Sequence, residues 1–252
     1  MPFTLSHAVL APPLSKLTKG HLPIAALAIG CMTPDLYRLF TQANLPIAHQ
    51  WSGVIFPNLP IGLFFCLLWY LIYRPVMYRV LGIIHPLNIK SFDQIITFVL
   101  MTCFAIIIGT ATHLVWDGLT HLDFRTFAFK DLLAQNISIF GLNYPLHFIL
   151  QITSSVVALP FMFCMCKSYY HTHKQLKAVP VKIKLFMIIS LIISTISGML
   201  SVWDYSHHIH SDLWNTEQYF FIGKSINEFT QTGLILFTAS CLVLLFLDRN
   251  KN

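Results

Sequence analysis

Three side chains suited to binding divalent metals, His113, Asp117 and His121, recur four residues apart in the stretch GTATHLVWDGLTH, residues 109–121. On an α-helix residues i and i+4 share a face, so His113 and Asp117 can reach one ion, and His121 lies another turn on. If the helix frays at Gly118, His121 can bend back toward the same ion. Imidazole and carboxylate suit zinc and other first-row divalent ions. A catalytic version needs an ion that lowers the pKa of a water, a general base, and groups that orient the ligands. Asp117, if it is not a ligand, Asp35 or Asp123 would be the base, and Thr112, Trp116 and Thr120 flank the trio as orienting groups. The same spacing equally fits a structural His–Asp hydrogen bond that ties a helix end in place.

The trio closes one of the most apolar runs of the chain. The protein has 252 residues, 56% of them hydrophobic and only 10% charged, with mean hydropathy +0.66, whereas soluble domains carry roughly a quarter charged residues. An all-α, polytopic integral membrane bundle follows. A hydrocarbon core about 30 Å thick needs roughly 20 mostly apolar residues per helix, which places five clear spans near 59–77, 93–115, 145–166, 183–203 and 227–247. The run at 22–33, LPIAALAIGCMT, is about half that length and suits an interfacial or re-entrant helix. Pro57, Pro60 and Pro145 stand at span openings, where a first-turn proline does no harm; Pro75 is expected to kink or end the first span. The opening residues lack the order of a cleavable signal, so the N-terminus is expected to stay in the mature protein. An ionisable group at membrane depth costs about 2.5 to 3.5 kcal/mol and usually has a partner or a function, which singles out His113.

The six cysteines lie in or beside the apolar runs and read as small core hydrophobes; Cys164 and Cys166 have no second pair nearby. The net charge of +6 does not point to nucleic acid, because the basic residues sit in short loops. Arg74, Arg79 and Lys90, then Lys167, Lys174, Lys177, Lys182 and Lys184, then Arg249 and Lys251 alternate with loops richer in Asp and Glu. The positive-inside rule then puts the C-terminus in the cytoplasm and loops 41–58, 116–144 and 204–226 on the far side. His49, His113, His121, His147, His207, His208 and His210 gather at that far side, although Lys16 and Lys19 argue for a cytoplasmic start. The WDYSHHIHSD stretch, Asp204 to Asp212 within it, reads as a solvated loop, a lid or a second ion site. Gln151 and Ser154 share a helical face and serve packing or line the site.

Several segments, MPFTLSHAVLAPPL, ALAIGCMTPDL, HQWSGVIFPNLPIGLFF, GTATHLVWDGLTH and PLHFILQITSS, resemble the bacterial membrane family called domain of unknown function 4184. The resemblance covers about residues 1–165; residues 166–252 match mainly as further transmembrane helices of one helical membrane domain, 1–252. That family is similar to membrane-bound metal-dependent hydrolases. The resemblance implies that His7, Asp35, His49, His113, Asp117 and His121 form one polar site for a divalent metal, with zinc as the expected ion and Asp117 and Asp35 as the catalytic carboxylates. Alternatively, Asp35 caps a helix, and His7 and His49 are idle.

The function expected is thus a membrane-embedded metal-dependent hydrolase in a bacterial inner membrane, working at the non-cytoplasmic interface on a phosphoester or lipid-like substrate, with membrane lipid as its partner and no nucleic acid. The alternative is a non-enzymatic metal-binding or partner-binding membrane protein with a structural His/Asp cluster. Metal transport fits less well, since the spans are nearly free of charge.

Overall fold

Sequences built from apolar runs of this length have little choice but helix, because every backbone polar group must be satisfied without water. The computed structural model describes residues 4–41, 46–175, 178–209 and 218–249. Among the described residues, five helices are long and apolar enough to cross a membrane: Trp51–Leu81, Phe92–Thr120, Leu146–His173, Val181–His207 and Phe221–Leu247. In the most apolar window of each, no more than 28% of the residues are buried inside the protein. The outward faces are therefore apolar, as lipid requires, and the protein is an all-α polytopic integral membrane protein. The spans outrun their expected bounds because helical hydrogen bonding continues through the polar residues beyond each apolar run. Three of the site residues, His49, Asp117 and His121, lie in or beside such an overrun.

The chain divides into two compact units, Met1–Leu67 with Pro86–Thr172, and Leu68–His85 with His173–Asn252. The first unit starts with a 3-10 segment, Thr4–Leu10, followed by helices α1, Ala11–Leu17, and α2, Ile24–Leu36. At 13 residues α2 is roughly 20 Å long, short of the hydrocarbon thickness. It packs along α5, Phe92–Thr120, through glycine. A Cβ on Gly109 would stand 2.5 Å from the Leu27 carbonyl oxygen, and one on Gly30 2.5 Å from that of Ile106. Backbone contact of this kind is how membrane helices associate when apolar side chains gain nothing over lipid. The Thr110 hydroxyl adds a hydrogen bond to the Gly30 carbonyl at 3.3 Å. Ser91 caps the start of α5 by accepting from the Gln94 amide, and Gln151 closes its end by donating to the Thr120 carbonyl at 2.8 Å.

The first span begins irregularly. Two turns lead to Phe56, which is extended, and regular helix starts with α3, Leu59–Leu68. Pro75 neither ends this span nor breaks it, contrary to expectation. The turn before it, Trp69–Tyr73, is a wide π turn, which absorbs the amide that proline lacks, and the helix continues as α4, Arg74–Leu81. It stops at Gly82, whose φ of 66° suits only glycine comfortably.

The loop between α5 and α7, Leu146–His173, contains a short helix α6, Lys130–Leu133, and a hairpin that the sequence reading lacked. Strands β1, Asn136–Ile139, and β2, Leu142–Pro145, pair antiparallel with Ile139 opposite Leu142. The two linking residues, Phe140 and Gly141, have φ of 52° and 81°, the twist that tight hairpins favour.

In the second unit α8, Val181–His207, and α9, Gln218–Arg249, pack together and with α4. Val76, Met187, Cys241 and Leu244 form its core, and the Tyr73 hydroxyl meets that of Thr238 at 2.6 Å.

Candidate metal centre

The glycine contact sets the register of the site. Asp35 lies in the last turn of α2, five residues past Gly30, while His113 and Asp117 follow Gly109 by one and two turns on α5. Bringing the glycines together therefore brings an α2 carboxylate beside the His/Asp pair of α5. The 3-10 segment adds His7 and Thr4. His49 comes from the turn before the first span, held by close backbone packing: a Cβ on Gly53 would be 2.0 Å from the Ile47 carbonyl oxygen, and the Asn58 side chain donates to the Ala48 carbonyl at 2.8 Å. All these residues belong to the first unit.

His113 and Asp117 are wholly buried, and His7, Asp35, His49 and His121 are nearly so. Asp35 accepts from the Thr4 hydroxyl at 2.8 Å and from His49 Nε2 at 3.2 Å. His113 Nδ1 donates to the Cys31 carbonyl at 2.8 Å. Because a carbonyl can only accept, Nδ1 carries a proton, and the other ring nitrogen, Nε2, faces Asp117 Oδ2 at 3.4 Å. Neither His113 Nε2 nor Asp117 Oδ1 has a hydrogen bond. An imidazole nitrogen facing a carboxylate in a buried site needs a proton or a cation between the two.

Two sets of three ligand atoms converge here. His7, Asp35 and His113 form one set, and His49, His113 and Asp117 the other, each with its ligand atoms within 4.8 Å of one another. The His7 and His113 rings stack at 4.0 Å between centroids. His121 stands at the edge, in neither set. The helix does not fray at Gly118; it runs to Thr120, and His121 caps it with its amide on the Asp117 carbonyl. Its Nδ1 is 3.5 Å from Asp117 Oδ1, and its Nε2 is buried without a hydrogen bond.

The electrostatics outside the spans favour the protonation states that metal ligands need. Burial, reinforced by the neighbouring His113, pushes the His7 imidazole down to about 3. Burial likewise takes His121 down to about 4 against the pull of Asp117, and lowers His49 against its bond to Asp35. Burial alone would raise the Asp35 carboxyl, but His113 and the His49 hydrogen bond overrule it and hold Asp35 well below the usual carboxylate range.

Arg125 is the participant that sequence reasoning missed. Its Nη1 donates to Asp117 Oδ2 at 3.0 Å and its Nε grips both oxygens of Asp123, at 2.9 and 3.1 Å. That grip commits Asp123, the third candidate base, to arginine. The signal was present as D-x-R immediately after the motif, but a loop arginine beside a loop aspartate reads as an ordinary surface pair. Of the expected orienting threonines, Thr120 donates to the Trp116 carbonyl at 2.8 Å and also stands 3.3 Å from His121 Nδ1, whereas Thr112 donates to the Gly109 carbonyl at 2.7 Å; the group that orients His113 is the Cys31 carbonyl. Ser154 bonds its own helix, at the Gln151 carbonyl. His207 and His208 are exposed and bond the Trp203 and Asp204 carbonyls, while His210 and Asp212 lie outside the described residues.

A family described as domain of unknown function (DUF4184) matches residues 1–247, well past residue 165, where the recognisable motifs end. No curated protein and no solved structure matches the chain.

Proposed function

Because the chain belongs to the DUF4184 family, whose description assigns no reaction, we propose its function from the site itself: a membrane-embedded metal-dependent hydrolase. In this reading it acts on a phosphoester or lipid-like substrate at the non-cytoplasmic face of a bacterial inner membrane, with its C-terminus in the cytoplasm. The likeness to membrane-bound metal-dependent hydrolases that the motifs suggest belongs to the same proposal.

The observation that carries it is the buried His113 Nε2, without a hydrogen bond and 3.4 Å from Asp117 Oδ2, where the ligand atoms of His49 and Asp117 converge on it. His7, Asp35, His49, His113 and Asp117 would hold the ion, zinc being the best match to imidazole and carboxylate, with His121 at the rim. When bound, such an ion supplies Lewis acidity and eases the deprotonation of a water. Asp117, enclosed and paired with Arg125, serves as ligand and charge anchor. Asp35, accepting from Thr4 and His49, would take up the proton that a water in the site gives up. The apolar surroundings exclude bulk water and strengthen each of these interactions.

A specific observation favours a second reading, a structural cluster. Asp117 already has Arg125, and Asp35 already has Thr4 and His49, so each buried carboxylate has a donor without any ion. Metal content separates the two. Purified wild-type protein should carry stoichiometric zinc or another divalent ion that is lost in His113→Ala and Asp117→Ala. A wild type that remains metal-free in zinc-containing buffer, and as stable as with zinc, refutes the metal centre. Hydrolysis of phospholipids and polyprenyl phosphates then divides enzyme from non-enzymatic metal binder.

A further inference from the structure

We propose that the metal centre is reached sideways from within the bilayer, through a groove between the Thr4–Leu10 segment, α5 and α7, and that its substrate is the phosphoester headgroup of a membrane lipid. The proposal rests on the metal-centre reading and goes beyond it by fixing the direction of approach and the source of the phosphoester.

His7 is the shared wall. One side of its ring stacks on His113, and the residue also lines a cavity of about 80 Å³ together with Ser6, Leu10, Trp116, Ser155 and Ala158. That volume takes a few waters or one small polar group, so it fits a headgroup and not a whole lipid. Its buried lining carries three polar residues, Ser6, His7 and Ser155, each exposed by 8% or less, beside the equally buried Ala158, whereas Leu10 and Trp116 are each 39% exposed. Buried polar groups under an apolar rim are the complement of an amphiphile.

Depth decides between lipid and water as the source. Ser155 and Ala158 lie roughly 13 and 18 Å along α7 from its start, and that 28-residue helix measures about 42 Å against a hydrocarbon core of about 30 Å. Even after allowing for the excess at each end, both residues fall within the hydrocarbon layer. Trp116, one turn from the end of α5, stands where tryptophan meets the headgroups. The groove thus runs from headgroup level into the layer of chains and is continuous with the lipid-facing surface of α7, where Val156 and Val157 are exposed. A hydrogen bond from the Ser6 hydroxyl to the Ser155 carbonyl at 3.0 Å pins the N-terminal wall to α7 and keeps the groove narrow.

The test uses full-length protein in nanodiscs containing phosphatidylglycerol with a photoactivatable diazirine in its acyl chain. Adducts mapped by mass spectrometry should concentrate on the segments carrying Leu10 and Trp116. Ala158→Trp, which fills the groove, should cut them about tenfold while leaving metal content unchanged; Trp116→Ala, which widens it, should raise their yield. Excess water-soluble glycerol phosphate should not compete. Adducts spread evenly over the lipid-facing spans and indifferent to both variants overturn the proposal, as does full competition by glycerol phosphate. Concentrated, variant-sensitive adducts on a protein that holds no metal uphold the groove and sink only the metal reading.

Discussion

Replacing Gly109 by alanine drives a methyl group into the backbone of α2. The new carbon would stand 2.5 Å from the Leu27 carbonyl oxygen, 2.6 Å from the Cys31 amide nitrogen and 2.8 Å from the Gly30 carbonyl carbon, where ordinary contact begins at 3.4 Å. None of these atoms can rotate away, so the helices separate by roughly 1 Å, at an overpacking cost of about 1 to 3 kcal/mol. The first casualty is the 2.8 Å bond from His113 to the Cys31 carbonyl, which lies at the same crossing and stretches past hydrogen-bonding range. Asp35 retreats from His113 by a similar amount, whereas metal ligands tolerate deviations of only about 0.2 Å. Metal affinity should fall at least as far as for loss of an orienting partner, about 10- to 100-fold. Competition against a chelator of known affinity measures it, with Gly223→Ala as control because no atom lies within 4 Å of a Cβ there. Gly109→Ala protein that folds and binds metal as tightly as wild type refutes the argument that the glycine crossing builds the site.

Three further outcomes follow from the same geometry. In metal-free protein, His7 sits near 3 when folded against 6.5 when unfolded; within that window the unfolded chain holds the extra proton, so stability declines as the pH falls from 6.5 toward 3. Thermal midpoints across this range should drop less steeply for His7→Gln, and parallel slopes would contradict the assignment. Arg125→Ala strips buried Asp117 of its guanidinium, which should cost about 3 kcal/mol without metal and much less with zinc present, read as thermal midpoints with and without the ion; a variant as stable as wild type in the absence of metal would count against a charged Asp117. Phe140→Asn relieves a bulky side chain held at positive φ, a conformation costing roughly 1 kcal/mol or more. Hydrogen exchange at residues 136–145 should slow, and unchanged or faster exchange would show that the turn is not strained.

Much of the fold was legible because membrane spans are coded by length and hydropathy, which any five apolar runs of this kind display. The pairing of His113 with Asp117 was equally legible, being a property of one helix. What the sequence withheld depends on partners far along the chain. Gly30 and Gly109 are visible as glycines in apolar runs, but nothing local says that they meet each other, and that meeting delivers Asp35. The carbonyl that orients His113 belongs to Cys31, and backbone atoms carry no residue signature. Arg125 lies in a loop whose path depends on Phe127 packing over Gly118, where an added Cβ would be 2.0 Å from the ring. The hairpin escaped notice because its turn is Phe-Gly rather than the usual Asn-Gly. Pro75 was overrated as a breaker because a single wide turn accommodates it.

The glycine crossing also dictates an order of biogenesis. Asp35 emerges from the ribosome about eighty residues ahead of Asp117, a delay of roughly 4 to 16 s at ordinary translation speeds. Throughout that interval α2 has no α5 groove to enter, and its carboxylate has only Thr4 and then His49 as partners. Any nascent chain halted before Gly109 lacks the dock altogether, so the centre is a late product of synthesis, assembled when the second span slides into the bilayer beside a helix already waiting there.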